Sequence, residues 1–306
     1  MTRKTMETQQ VTNEEILQAE QELFGGESAS TEVQETATGE VSHEVTLFAE
    51  PVFSIGGFTV TNSLLNSWIV VAALIVLAMV LRKKLRTIPS KFQGTVEMII
   101  DGALGLADSV TGDRKKTLKI FPVVFIIFLF ILLNNWLGML PGIGSIGYVT
   151  LEEGHQVFIP YFRGATADFN TTLALALLSV IASNVFGIIV IGGWKYLNKF
   201  INIKALVEVP GKLKSNPAIV FVNPIKFFVG LIEIVGEVAK IASLSFRLFG
   251  NIFAGEVLLA SIAVIFAFAL PIPFLFLEII VGLIQALIFA MLTLVYFTVA
   301  STAEEH

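Results

Sequence analysis

In the run Ser243–Leu259, SLSFRLFGNIFAGEVLL, three polar side chains, Arg247, Asn251 and Glu256, interrupt a sequence that otherwise reads as membrane. An arginine near a bilayer centre costs about 2.5–3.5 kcal/mol on insertion scales, so a chain that keeps one there uses it, most often to move ions or protons. The guanidinium is permanently charged, which makes Arg247 a fixed cation and not a proton relay. Carboxylates can relay protons. Helix phase brings Arg247 and Asn251 within about 40° of each other, whereas Glu256, nine residues on, falls roughly opposite Arg247, so the two do not form a simple ion pair. Snorkelling to the interface requires a place near a helix end. Arg247 has more than twenty mostly apolar residues on either side.

Further polar residues flank this run. Glu233, Glu237 and Lys240 precede Arg247; Glu278 and Gln285 follow the Pro271-Ile-Pro273 stop and, seven apart, share one helix face. Folding the chain about Pro271–Pro273 brings Gln285 to the level of Glu256. Polar residues then occupy two territories with Arg247 between them. For Glu233 and Glu237 a solvated helix face with Lys240 as an i+3 partner accounts for the sequence as well as a functional role does. Glu256 and Glu278 lie within long apolar runs, where a carboxylate held away from bulk water suits proton relay.

Other chemistries are excluded. The chain has no cysteine, so disulfides, thiolate metal sites and cysteine nucleophiles are ruled out together. His43, His155 and His306 sit in a polar tail, a polar loop and the last position, with no ligand spacing between any two. No phosphate-binding loop is present, and neither a cofactor nor a metal is expected.

The elements that must position these residues follow from composition. At 306 residues, 55% hydrophobic and 15% charged, with mean hydropathy +0.79, this is a polytopic membrane protein. Residues 1–50 differ from the rest. They carry eleven glutamates against two basic residues, and this composition predicts disorder or one short amphipathic helix. Arg3 and Lys4 are not followed by the apolar region of a signal peptide.

Residues 61–81 form the first predicted span, since about 20 apolar residues cross the hydrocarbon. Segment 82–119 then holds nine Lys or Arg against Glu97, Asp101, Asp108 and Asp113, a cytoplasmic bias. Within it Val96–Val110 reads as an interfacial amphipathic helix. The second span, 120–138, returns outward past Asn134 and Asn135 to the turn signals LPGIGSIG. Loop 139–168, with Arg163 its one basic residue, has the bias expected outside, and the third span, 169–194, leads to Lys195, Lys199, Lys204, Lys212 and Lys214. The N-terminus is therefore predicted outside and the C-terminus cytoplasmic.

Asn223-Pro224 reads as a helix start and Pro271 as the next strong stop. A helix of some 46 residues between them spans about 69 Å, over twice the hydrocarbon thickness. Either it breaks, at Gly250 or Gly255, or it lies strongly tilted, and the spread of charges along it favours tilt against a protein partner. With a return helix over about Phe274–Thr302, the fold expected is all-α: three roughly upright transmembrane helices and a long, strongly tilted C-terminal helical hairpin, 224–306.

On SLSFRLFGNIFAGE, on Glu278 and Gln285 ahead of FAMLTLVYFTVA, and on the weaker NNWLGMLPG and TADFNTTLALAL, the chain resembles the a subunits of F-type ATP synthases over residues 60–306. The resemblance implies a proton-translocating stator in which Arg247 faces the c-subunit ring. Asn251, Glu256, Glu278 and Gln285 would line the outer proton half-channel, and Glu233, Lys240 and Ser243 would border the cytoplasmic one. It also implies peripheral-stalk b subunits and the rest of the complex as partners, a bacterial cytoplasmic membrane, no nucleic acid, and no catalysis by this chain alone. Some family members carry histidine at the position of Glu278, so the outer relay here would be carboxylate-only. The acidic tail is longer than the resemblance explains. The rival reading is a self-contained ion-coupled secondary transporter, whose folds usually repeat halves with interrupted helices; no such repeat is visible.

Overall fold

The computed structural model describes residues 46–140, 142–152, 155–200, 219–266 and 270–302. Of the tail expected to be disordered over 1–50, residues 1–45 lie outside them, as do the lysines at 204, 212 and 214, whereas 46–50 are ordered by hydrogen bonds to Arg163, Asp168 and Asn62. The chain divides into two compact units. Glu44–Tyr148 with Ile159–His306 form the helical unit; of the other, Met1–His43 with Val149–Phe158, only the hairpin segment Val149–Phe158 has described residues.

The helical unit opens on a hairpin, β1 (Pro51–Ile55) against β2 (Phe58–Thr61), antiparallel with Ile55 opposite Phe58. Gly56 and Gly57 make its two-residue turn at φ 57° and 89°, the backbone that a twisted two-residue hairpin loop demands and that glycine adopts without strain. Thr61 caps α1 (Asn62–Lys84), its Oγ1 accepting from the Leu64 N–H. Ser90 caps α2 (Lys91–Thr111), which ends on Gly112 at φ 66°. Asp113 caps α3 (Arg114–Gly138). After a 3₁₀ turn at Ile143–Ser145, strands β3 (Gly147–Glu152) and β4 (His155–Pro160) pair as a second hairpin. A second 3₁₀ turn, Ala165–Ala167, leads to Asp168, which caps α4 (Phe169–Ile191) through the Asn170 and Thr171 N–H groups. Helix α5 (Gly193–Phe200) is short; α6 (Ile219–Ile265) and α7 (Pro271–Ser301) close the chain.

Five of these helices, α1, α3, α4, α6 and α7, are long and apolar enough to cross a membrane. The protein is thus an all-α polytopic membrane protein carrying two small hairpins. Helix α2, over the stretch read as interfacial, is not among the five, and its Phe92, Met98, Ile99 and Leu106 are exposed. The polarity of the helical unit is inverted relative to a water-soluble domain. Ile189, Val264 and Ile232 point outward, whereas Asn66, Asn134, Asn135, Thr172, Ser179 and Ser245 are buried between helices. Lipid is as apolar as leucine, so close packing and interhelical hydrogen bonds hold such a bundle together.

The helix of the second span starts at Arg114, six residues early, where Asp113 caps it, and three further differences also have local reasons. The third span ends at Ile191, three residues early, because Gly192 takes φ 96° and turns the chain out of the helix. Helix α6 begins at Ile219, five residues before Pro224. A proline inside a helix removes one bond, here to the carbonyl four residues back, and the helix runs through it. It also runs unbroken through Gly250 and Gly255, 47 residues in all. Most consequential is the turn of the hairpin. Pro271 begins α7, where the first N–H groups have no helical partner to lose, so Pro271–Pro273 belong to the return helix and the reversal precedes them, after the end of α6 at Ile265. The two arms are therefore offset from the expected register.

The core knits four helices. Ile127, Ile131 and Leu132 of α3, Ala176 and Val180 of α4, Leu244 and Leu248 of α6, and Ala286 and Phe289 of α7 form one buried cluster. A second joins α2, α3 and α7 through Ala107, Ile120, Val124, Ala290, Leu294 and Phe297. Both arms of the hairpin are thereby fixed against α3 and α4.

Candidate functional site

The offset of the arms determines which side chains meet. Gln285 does not stand beside Glu256; its Oε1 accepts from Asn251 Nδ2 at 2.7 Å. Two turns nearer the start of α7, the Glu278 carboxylate lies directly against Gly255, where any side chain would displace it. Glu278 is 8% exposed and Gln285 3%. Neither Glu278 Oε1 nor Gln285 Nε2 has a hydrogen-bond partner among the described residues. A carboxyl oxygen and an amide N–H, both buried and both uncommitted, therefore lie on one face of α7. Around them Asn135 Nδ2 donates to the Gly282 carbonyl at 2.9 Å, Thr166 Oγ1 donates to Asn135 Oδ1 at 2.6 Å, and Asn66 Nδ2 donates to Asn134 Oδ1 at 3.2 Å.

Glu256 belongs to the same end of the hairpin but has a partner that sequence reasoning missed. Arg163, in the loop before the second 3₁₀ turn, donates to Glu256 Oε2 from Nη2 at 2.9 Å and from Nε at 3.3 Å. Two glycines seat that loop. Gly138, the last residue of α3, is so close to Gly164 that a Cβ on it would stand 2.8 Å from the Gly164 Cα. The signal for Arg163 was its solitary positive charge in an otherwise acidic loop.

A second polar cluster lies on the other side of Arg247. Lys240 Nζ donates to Glu237 Oε1 at 2.6 Å, the i to i+3 pair read from the sequence, and stands 5.3 Å over the Tyr296 ring. Asn184 of α4 donates from Nδ2 to Glu237 Oε2 at 3.1 Å and accepts from the Tyr196 hydroxyl. A continuous chain, Tyr196 to Asn184 to Glu237 to Lys240, thus joins α5, α4 and α6. Burial, and then the charges of Glu237 and Glu233, push the Tyr196 phenol up to about 12, so it serves this chain as a hydrogen-bond donor at neutral pH. Glu233 is half-buried, one turn before Glu237. Asn184 and Tyr196 carry no charge at neutral pH and belong to other elements, which hid them from a reading of the hairpin alone.

Arg247 stands between the clusters. From Lys240 to Glu256 is 16 residues, about 24 Å of helix, with Leu244 and Leu248 buried on the inner face. Arg247 itself is exposed, and among the described residues its one side-chain hydrogen bond is Nη2 to Ser243 Oγ at 3.3 Å, with no ion pair. The face it borders is shallow. Gly236, Ala239, Ser243, Gly250 and Ala254 recur along it, all but the half-buried Gly236 exposed, and a Cβ built at Gly236 or Gly250 meets nothing within 4 Å. A fixed cation thus projects from a smooth apolar surface, flanked by two groups of carboxylates and amides, of which Glu278 and Gln285 are buried and Glu233, Glu237, Glu256 and Asn184 half-buried.

The sequence model of the family described as ATP synthase A chain matches residues 64–298. A protein named ATP synthase subunit a from Syntrophobacter fumaroxidans is 32% identical over 252 residues, covering 81% of this chain and 87% of its own length. Proteins of the same name from Trichlorobacter lovleyi and Geobacter sulfurreducens are 29% and 27% identical over 245 residues, covering 80% of this chain and 89% of theirs. On a match through all five long helices and both arms of the hairpin, the chain belongs to the ATP synthase A chain family, the a subunits of the enzyme's membrane sector.

Proposed function

We propose that this chain is the proton-conducting stator of its ATP synthase, with two offset half-channels separated by Arg247 that load and unload carboxylates of a rotating c-subunit ring. The observation that carries this reading is the position of Arg247. It is a permanent charge, exposed and without a carboxylate partner among the described residues, between two polar clusters that other helices help to build. Asn251, Gln285, Glu278 and Glu256 then belong to the outer path; Glu233, Glu237, Lys240 and Ser243 belong to the cytoplasmic one. The small-residue face along Gly236, Ser243 and Gly250 suits close approach by a partner helix.

In this mechanism a rotor carboxylate crosses lipid in its protonated, neutral form. Beside Arg247 the fixed cation favours its charged form, and the proton leaves into one half-channel. Turning past Arg247 exposes the site to the other half-channel, where it is reloaded. The same charge breaks any direct wire between the two paths, so proton flow is coupled to rotation. Each proton crossing supplies about 2.3 kcal/mol per 100 mV. At 47 residues and about 70 Å, α6 is too long to stand upright in about 30 Å of hydrocarbon, which supports a strongly tilted hairpin wrapped along the rotor. The charge bias of the loops supports an outside N-terminus and cytoplasmic C-terminus, and the relatives named ATP synthase subunit a support a bacterial inner membrane, with peripheral-stalk b subunits as further partners.

Because the chain lacks cysteine, single cysteines at positions 256, 278 and 285 are clean reporters. In the assembled complex they should react with membrane-impermeant thiol reagents added from the outside, and cysteines at 237 and 240 from the cytoplasmic side. Labelling of all five from one side would overturn the two-path reading.

A further inference from the structure

Arg163 uses every donor it has. Besides the two bonds to Glu256, Nη2 donates to the Thr46 carbonyl at 2.8 Å, and Nη1 donates to Thr46 Oγ1 at 3.1 Å and to the Phe48 carbonyl at 3.4 Å. Five N–H groups make five hydrogen bonds, and the side chain is only 9% exposed. The segment it grips is held at two further points. Ala49 N donates to Asp168 Oδ1 at 3.2 Å, and Glu50 N donates to Asn62 Oδ1 at 3.2 Å. Asn62 in turn donates from Nδ2 to the Pro160 carbonyl at 3.3 Å. Thr46–Glu50 is therefore a strap, stitched down by an arginine, an aspartate and an asparagine from three separate places in the chain.

We infer that Arg163 is a positioning residue for the outer proton path: one edge of its guanidinium orients the Glu256 carboxylate while the other fixes the strap, so that the segment leading out of the acidic tail is mechanically coupled to Glu256. The inference rests on the assignment of Glu256 to that path. The physical case is that a planar fork satisfies two carbonyls and a carboxylate at once, which a point charge cannot do. Glu256 has a fixed cation beside it, while Glu278 Oε1 has no hydrogen-bond partner among the described residues, so the two carboxylates divide the work. Glu256 is held in place, and Glu278 is free to exchange.

The test uses the whole complex in inverted membrane vesicles, with rates expressed per assembled complex. Arg163→Gln should lower ATP-driven proton pumping about tenfold, the scale of a lost charge-assisted hydrogen bond. Arg163→Lys should recover within about threefold of the unsubstituted rate, because it restores the charge but not the fork. A second reading does not depend on activity: a lone cysteine at position 49 should react with a thiol reagent about tenfold faster in both the Arg163→Gln and the Glu256→Gln backgrounds, since each releases the strap. Unchanged pumping in Arg163→Gln, or unchanged reactivity at position 49 in either background, overturns the inference. Arg247→Ala, run alongside, separates the two levels of the argument. If it pumps normally, the stator reading has failed; if it is inactive while Arg163→Gln is normal, only the role of Arg163 has.

Discussion

Replacing Gly250 with leucine separates what the chain needs for itself from what it needs for a partner. Gly250 lies three residues from Arg247 on the exposed face of α6, and a Cβ there meets nothing within 4 Å. Within the chain the substitution costs no contact, and it removes a helix-interior glycine, a gain of roughly 0.5–1 kcal/mol. Folding and detergent stability of the isolated chain should therefore hold or improve slightly. Against a partner helix the consequence reverses. Interaxial distances run from about 8 to 10 Å according to the side chains at the crossing, so a leucine in place of glycine pushes the partner outward by about 2 Å. A misplacement of about 1 Å already costs on the order of a hundredfold in a positioned reaction, and ATP-driven proton pumping should fall by at least that factor. Gly187→Ala is the contrasting control: its Cβ would stand 2.6 Å from the Ala300 carbonyl oxygen, a backbone atom, so two helices must shift and the amount of folded protein should drop. The assay is quenching of a pH-sensitive dye in inverted vesicles, normalised to assembled complex by immunoblot. Normal pumping by Gly250→Leu would refute the claim that this face receives the rotor.

Three further outcomes follow from the same geometry. The Tyr196 phenol, raised from 10.0 to about 12, contributes stability that is complete below about pH 10 and is lost as pH rises toward 12; Tyr196→Phe should flatten that part of an alkaline melting series in detergent. Asn251→Leu and Gln285→Leu should show a coupling of about 0.6 kcal/mol, and no more than about 1.7, in a double-mutant cycle of unfolding, the range for hydrogen bonds between membrane helices; additive losses would mean the 2.7 Å contact is not energetically real. Gly138→Ala drives a methyl into the backbone of Gly164, so it should destabilise the fold by about 1–3 kcal/mol and reduce pumping by carrying Arg163 away from Glu256.

Much of the architecture was legible because membrane helices announce themselves by length. The charge-free runs marked three long helices to within six residues of their ends, and the separation of Asn223 from Pro271 left either a broken helix or one too long to stand upright, of which the structure has the unbroken one. What was not legible depended on where the chain turns in three dimensions. Reading Pro271 as the centre of the reversal placed Gln285 opposite Glu256, whereas a proline at the first helical position starts α7 and pairs Gln285 with Asn251. The β1–β2 hairpin was not read from the sequence, although Gly56-Gly57 between strand-forming residues was its signal. Arg163 and Tyr196 were missed for a different reason. Their partners, Glu256 and Asn184, lie 93 and 12 residues away, and no periodicity within one element connects them.

The central claim is that Arg247 both drives rotor carboxylates to release their protons and prevents those protons from passing straight through. Its most direct measurement is ATP synthesis and passive proton flux, in the same vesicles, for the unsubstituted protein and for Arg247→Ala. The account predicts that synthesis is abolished while passive flux rises, because protonated rotor sites can then shuttle between the two half-channels unopposed. Arg247→Lys should suppress the leak better than it restores synthesis, since a compact ammonium can give up its proton where a guanidinium cannot. Normal ATP synthesis with alanine at position 247 would contradict the mechanism.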